Sequence, residues 1–128
     1  MVNNIYSKKV IEHFQNPHNY GKIKNANGIG EEGSLVCGDV MRLYIKVGKN
    51  EIIEDVSFET MGCAAAIASS SVMTDLIKGK TIKQALKINN NDVIKKLGFL
   101  PSVKIHCSLL AIDALRAAIN DYLSKKTK

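Results

Sequence analysis

Apolar and polar residues recur along this chain with two periods, near 3.6 at both ends and two in the middle. Tyr6, Val10, Ile11 and Phe14 share one helical face, Asn3 or Asn4 can cap that helix, and Asn16-Pro17 ends it. From His18 to Ser34 the chain is rich in Asn and Gly and lacks apolar periodicity, which predicts an extended loop. In Met41-Arg42-Leu43-Tyr44-Ile45-Lys46-Val47 the odd positions are apolar, the alternation of a strand with one buried face. Gly48-Lys49-Asn50 supplies a turn, Ile52 to Phe58 returns as its antiparallel partner, and a third strand is expected near Leu35.

After Cys63 the helical period returns. The Ala-rich run from Ala64 predicts a helix through Lys78 that Gly79 terminates. Thr81 and Gln84 form a capping box for a short helix through Leu86 and Ile88, and Asn91 is placed to cap another that Gly98 stops. Leu100-Pro101 breaks the chain before a long helix from about Val103 to Leu123, striped by Cys107, Ala111, Ala114, Leu115, Ala118 and Tyr122. Strands grouped early and helices late predict one α+β domain over residues 1–128, with helices on one face of a small antiparallel sheet.

Charge adds an asymmetry. Residues 1–64 carry 7 basic and 8 acidic side chains, residues 65–128 carry 11 and 4. The basic half raises a nucleic-acid module as a rival, since Lys78, Lys80, Lys83, Lys87, Lys95 and Lys96 can meet phosphates. These lysines are not interleaved with stacking aromatics and no nucleic-acid-binding motif accompanies them, so a solvated or protein-docking face is the better account. The first residues lack a secretory h-region and no apolar run spans a bilayer, which predicts a cytoplasmic protein without membrane partners. Three cysteines, Cys37, Cys63 and Cys107, cannot all pair within one monomer, so free, buried or ligating thiols are expected.

Each cysteine stands at the end of an element. Cys37-Gly38-Asp39 precedes a strand, Cys63 follows Gly62 at a strand-to-helix junction, and Cys107 opens the long helix beside His106 and near Lys104. Helix N-termini and nearby cations favour thiolate over thiol at Cys63 and Cys107. The spacing matches no compact metal signature, and three separate buried cysteines are the plain alternative. If the thiols converge, a two-iron two-sulfur cluster lacks one cysteine, and Asp39, His106 or another chain can fill the fourth position. A harder oxygen or nitrogen donor there would make the cluster easier to lose, and the same donors would also hold zinc.

Cys37-Gly38-Asp39-Val40-Met41, Gly62-Cys63-Ala64-Ala65-Ala66-Ile67-Ala68-Ser69-Ser70-Ser71 and Leu100-Pro101-Ser102-Val103-Lys104-Ile105-His106-Cys107-Ser108 resemble the three signature segments of the IscU/NifU-type iron-sulfur cluster scaffold proteins. The resemblance runs from the Val10-Ile11-Glu12-His13-Phe14 helix to Ala117-Ala118-Ile119 and implies a three-stranded antiparallel sheet with helices on one face. It also implies an assembly scaffold rather than a turnover enzyme: a cysteine desulfurase supplies persulfide sulfur, ferrous iron binds, an electron donor reduces the sulfur, and a labile two-iron two-sulfur cluster passes to apo-proteins. On this resemblance Cys107 is the persulfide acceptor, and Cys37, Cys63 and Cys107 are cluster or zinc ligands with Asp39 or His106 as the fourth. Lys104 lies near the site and favours the anionic persulfide. Implied partners are the desulfurase, a frataxin-like protein, ferredoxin and Hsp70/J-protein chaperones, with the scaffold a monomer or a cluster-bridged homo-oligomer.

Leu100, Pro101, Val103 and Lys104 match the family's chaperone-recognition segment, in which Ser102 replaces a second proline. The gap between Cys63 and Cys107 lacks the insertion of the zinc-dependent SufU-type sulfurtransferases, and the short stretch after the long helix predicts none of the extra domains of full-length NifU proteins. A zinc-binding sulfur acceptor without a cluster is the alternative function. Gly28-Ile29-Gly30-Glu31-Glu32-Gly33 fits GxGxxG but leads into no helix, so dinucleotide binding is set aside. His13 reads as a surface or packing residue and His18 as a loop residue, while Ser69-Ser70-Ser71 reads as small side chains for close helix packing.

Overall fold

The computed structural model describes residues 7–33, 39–98 and 105–126, and for Ile105, His106, Cys107 and Lys126 the backbone alone. Three strands form one antiparallel sheet in the order β1 (Gly28–Gly33), β2 (Val40–Val47), β3 (Ile53–Met61). Five helices accompany it: α1 (Lys8–Gln15), α2 (Ala64–Ile77), α3 (Ile82–Leu86), α4 (Asn90–Leu97) and α5 (Ile105–Lys126). The α+β architecture with a three-stranded antiparallel sheet is as expected from the sequence.

The period-two pattern of β2 decides which face is covered. Met41, Leu43, Ile45 and Val47 are buried, opposite Thr60, Phe58, Val56 and Ile53 of β3. Helices α2 and α5 pack onto this layer through Ala65, Ala68, Val72 and Met73 and through Ala111, Ala114, Leu115 and Ala118. A bulge between Lys46 and Val47 keeps Ile53 in the core although the register shifts there. On the other face Tyr44 donates its hydroxyl proton to Glu59 Oε1 at 2.6 Å. Burial and that hydrogen bond raise the Tyr44 pKa.

The first strand lies where a loop was expected. Leu35 falls outside the described residues, and β1 occupies Gly28–Gly33 within the Asn- and Gly-rich stretch. A Cβ on Gly28 would come within 2.6 Å of the Ala118 carbonyl oxygen, and one on Gly30 within 2.3 Å of the Ala114 oxygen and 2.4 Å of the Ala118 nitrogen. The first two glycines of the GxGxxG string thus let a helix backbone lie against a strand backbone. Asp121 of α5 accepts the Ile29 N–H at 2.9 Å on this edge strand, which lowers the Asp121 pKa.

The opposite edge, β3, is also covered. Phe58 exchanges backbone hydrogen bonds with Asn19 and Gly21 at 3.0 and 2.8 Å, and Ile53 with Lys80 and Gly79, both at 2.8 Å. Two short backbone segments therefore occupy donors and acceptors that would otherwise template another chain.

Helix boundaries follow the predicted signals with local corrections. The cap of α1 is Ser7, whose side chain accepts from the Val10 N–H, rather than Asn3 or Asn4, which lie outside the described residues. Helix α2 ends at Ile77 before Gly79 at φ +85°, and Thr81 and Gln84 form the expected capping box. The cap of α4 is Asn89, reciprocated by Asp92, because that pair satisfies two backbone N–H groups where Asn91 alone would satisfy one. Among the described residues no helix is long and apolar enough to cross a membrane.

Candidate functional site

Strand β3 ends at Met61, and the chain turns through Gly62 so that Cys63 occupies the N-cap of α2 with extended backbone. Ser, Thr, Asp and Asn are the good N-caps because their oxygens accept helix N–H groups, whereas the Cys63 side chain makes no capping bond. Its thiol instead donates to Asp39 Oδ2 at 3.6 Å. Asp39 is 5% exposed, so its carboxylate is removed from water at the positive end of a helix.

Gly62 makes this approach possible. A Cβ there would stand 2.9 Å from Asp39 Cγ and 3.1 Å from both Asp39 Oδ1 and the Ala66 methyl. Glycine at 62 and small residues at 64–66 leave room for a carboxylate and a thiol at one helix terminus. Thiolate sulfur selects soft and borderline cations and carboxylate oxygen harder ones, so the two together suit a borderline ion.

Strand register carries other candidate positions to the same end of the sheet. Val40, which follows Asp39, pairs with both Gly33 and Met61. Because Gly28 lies against Ala118 and Gly30 against Ala114, α5 runs antiparallel to β1 with its N-terminus toward Gly33. Three strand residues and seven helix residues each span about 10 Å, which sets the Cys107 backbone level with Gly33. Cys37, Leu100, Pro101, Val103 and Lys104 lie outside the described residues, as do the side chains of His106 and Cys107.

A second group of donors was not anticipated. His13 of α1, His18 of the following loop and Asp75 of α2 bring one ligand atom each within 4.8 Å of one another. His18 Nδ1 lies 2.5 Å from Asp75 Oδ2, and His13 Nδ1 lies 2.7 Å from Ser71 Oγ, which also accepts the His18 backbone N–H at 2.8 Å. The imidazoles are inclined at 52° with centroids 4.6 Å apart. Burial, with a smaller contribution from His18, lowers the His13 pKa. Ser69, Ser70 and Ser71 are buried as expected of packing residues, but Ser71 additionally holds both histidine segments. The partners stand 53 to 58 residues apart in sequence, so no local motif announces them.

Comparison with known proteins places these features in a family context. Residues 5–128 match the NifU-like N-terminal domain. The chain is 58% identical over 124 residues to the iron-sulfur cluster assembly scaffold protein IscU 1 of Archaeoglobus fulgidus, covering 97% of this chain and 80% of that protein. It is 54% identical over 126 residues to IscU of Buchnera aphidicola, covering 96% and 98%. Among solved structures it is similar to a putative SUF-system iron-sulfur cluster assembly scaffold protein from Fervidobacterium islandicum, with TM-score 0.76, 29% identity and coverage of 93% and 99%. The fold is also that of the N-terminal NifU-like protein of Brucella abortus, at TM-score 0.77 and 23% identity over 97% and 98% of the two chains.

Proposed function

This chain belongs to the family of NifU-like N-terminal domains, and from that premise we propose that it is a non-enzymatic scaffold that builds an iron-sulfur cluster as cargo. The role is supported by its IscU relatives. The observation that carries the reading is the Cys63 thiol against the buried Asp39 carboxylate, 3.6 Å apart where the sheet meets α2. A purely structural cysteine would be better served by apolar neighbours.

In this reading Cys37, Cys63 and Cys107 supply thiolates and Asp39 or His106 completes the set. Cys107 accepts sulfur: its thiolate attacks the outer sulfur of the desulfurase persulfide, a new S–S bond forms, and the desulfurase cysteine leaves as thiolate. Two electrons from a ferredoxin-type donor and one proton then release hydrosulfide and regenerate the Cys107 thiolate. Lys104 favours the anionic persulfide by charge. Asp39, a harder donor than sulfur, keeps the cluster labile enough for transfer to apo-proteins. Leu100, Pro101, Val103 and Lys104 form the segment for a release chaperone.

The test is iron, zinc and acid-labile sulfide per chain after anaerobic purification, and again after incubation with cysteine desulfurase, cysteine, ferrous iron and a reductant. Equal iron and sulfide appearing only after incubation is the expected result. Zinc persisting without sulfide while Cys107 carries persulfide would replace the cluster scaffold with a zinc-bound sulfur acceptor.

A further inference from the structure

The geometry points to a second metal site, in which His13, His18 and Asp75 bind one divalent transition ion such as Zn²⁺ where α1, the following loop and α2 meet. It is separate from the cysteine centre, because Asp75 follows the N-cap Cys63 by about 18 Å of helix rise. Two imidazole nitrogens and a carboxylate oxygen are the donor set of three-ligand catalytic zinc and of non-haem ferrous sites, with the remaining positions open to water.

Donor separation permits the ion. Ligand atoms around tetrahedral zinc stand about 3.3 Å apart, given bonds of about 2.0 Å. The three atoms here lie within 4.8 Å, and the His18 and Asp75 side chains, 48% and 44% exposed, have room to rotate inward. Asp75 Oδ2 accepts the proton on His18 Nδ1, and a cation replacing that proton meets two donors already directed at each other.

The surroundings support ligation in the manner of an outer shell. Histidine ligands are ordinarily oriented by a hydrogen bond to the second ring nitrogen. Ser71 Oγ stands 2.7 Å from His13 Nδ1 and leaves Nε2 as the donor. Asn19 Nδ2 donates to Asp75 Oδ1 at 3.2 Å and to Thr74 Oγ1 at 3.0 Å, which turns the other carboxylate oxygen toward His18. A cleft of about 350 Å³ reaches His13 and Asp75 and gives an ion and its water a path from solvent. Lys9 and Lys96 in its wall are balanced by Glu12 and Asp75, so the cleft has no excess positive charge to favour an anion.

The consequence is a staple. An ion held by both α1 and α2 ties down the loop that runs on to Asn19 and Gly21, which close the β3 edge at Phe58. Zinc titration by calorimetry on the Cys37→Ser/Cys63→Ser/Cys107→Ser chain removes competition from thiols. We expect one Zn²⁺ with Kd below about 1 mM, weakened ~10-fold or more by His18→Ala and by Asp75→Asn. No binding in that range, or binding by His18→Ala and Asp75→Asn as tight as that of their parent chain, overturns the site. Should the triple variant fail to fold, nitrogen-15 NMR of the imidazoles in the wild-type chain decides it: Zn²⁺ must shift one ring nitrogen in each of His13 and His18, and unmoved signals refute the proposal.

Discussion

The two ends of α2 present different chemistry on one rod. At its N-terminus a thiol and a buried carboxylate meet because Gly62 has no Cβ to hold them apart. Near its C-terminus two imidazoles and an exposed carboxylate meet because a loop folds back across the helix. The first end is soft in donor type and depends on close packing. The second is borderline, wet and held by hydrogen bonds to Ser71 and Asn19. Donor identity sets which cation each end can hold, and burial sets how much a substitution disturbs the fold around it.

The largest expected break is at the cysteine end. Cys107→Ser abolishes persulfide formation with a desulfurase, detected by mass spectrometry of the intact chain; undiminished persulfide would remove Cys107 from the role. Gly62→Ala forces a methyl to within van der Waals contact of Asp39 and Ala66 and costs about 1–3 kcal/mol in urea unfolding. It also separates the carboxylate from Cys63, so cluster yield falls with stability. Retention of both would show that the close approach is not needed.

Three smaller effects sharpen the contrast. Asp39→Ala is expected to slow cluster transfer to an apo-ferredoxin, because a harder donor is lost from the set, and unchanged transfer kinetics would count against Asp39 as ligand. At the histidine end the sign follows from the lowered His13 pKa, reference 6.5. The unfolded chain binds the proton more readily, so with chelator present stability is full above pH 6.5 and declines as pH falls toward the folded-state value. The thermal midpoint between pH 7.5 and 5.5 should drop more for wild type than for His13→Gln; parallel curves would contradict it. Least of all, Cys63→Ser should stabilise the metal-free chain by ~0.5 kcal/mol in urea, since serine is the better N-cap.

Period and punctuation made most of the fold legible. Odd-position apolar residues in β2, the Gly79 and Gly98 stops and the Thr81–Gln84 box each act within a few residues, and the structure bears them out. The first strand was not legible, because Gly28 and Gly30 have no side chain to give a hydrophobic signal and their meaning lies in Ala114 and Ala118. Cys63 and Asp39 could be named as candidates from their motifs, but not their contact. His13 and His18 carry no local signal of their convergence, because Ser71 and Asp75 are near them only in space.

By itself the sequence determined the types of β2, β3 and the helices, the Thr81–Gln84 capping box, the Gly79 and Gly98 stops and which face of β2 is buried. These depend on backbone periodicity, on side-chain size and on donor type, all local properties. Only the tertiary structure decided that glycines form the first strand, that a carboxylate reaches the N-cap thiol, and that two histidines and an aspartate converge. Such meetings depend on packing distances of a few ångströms between segments far apart in the chain, and residue order alone does not encode them at any fixed spacing.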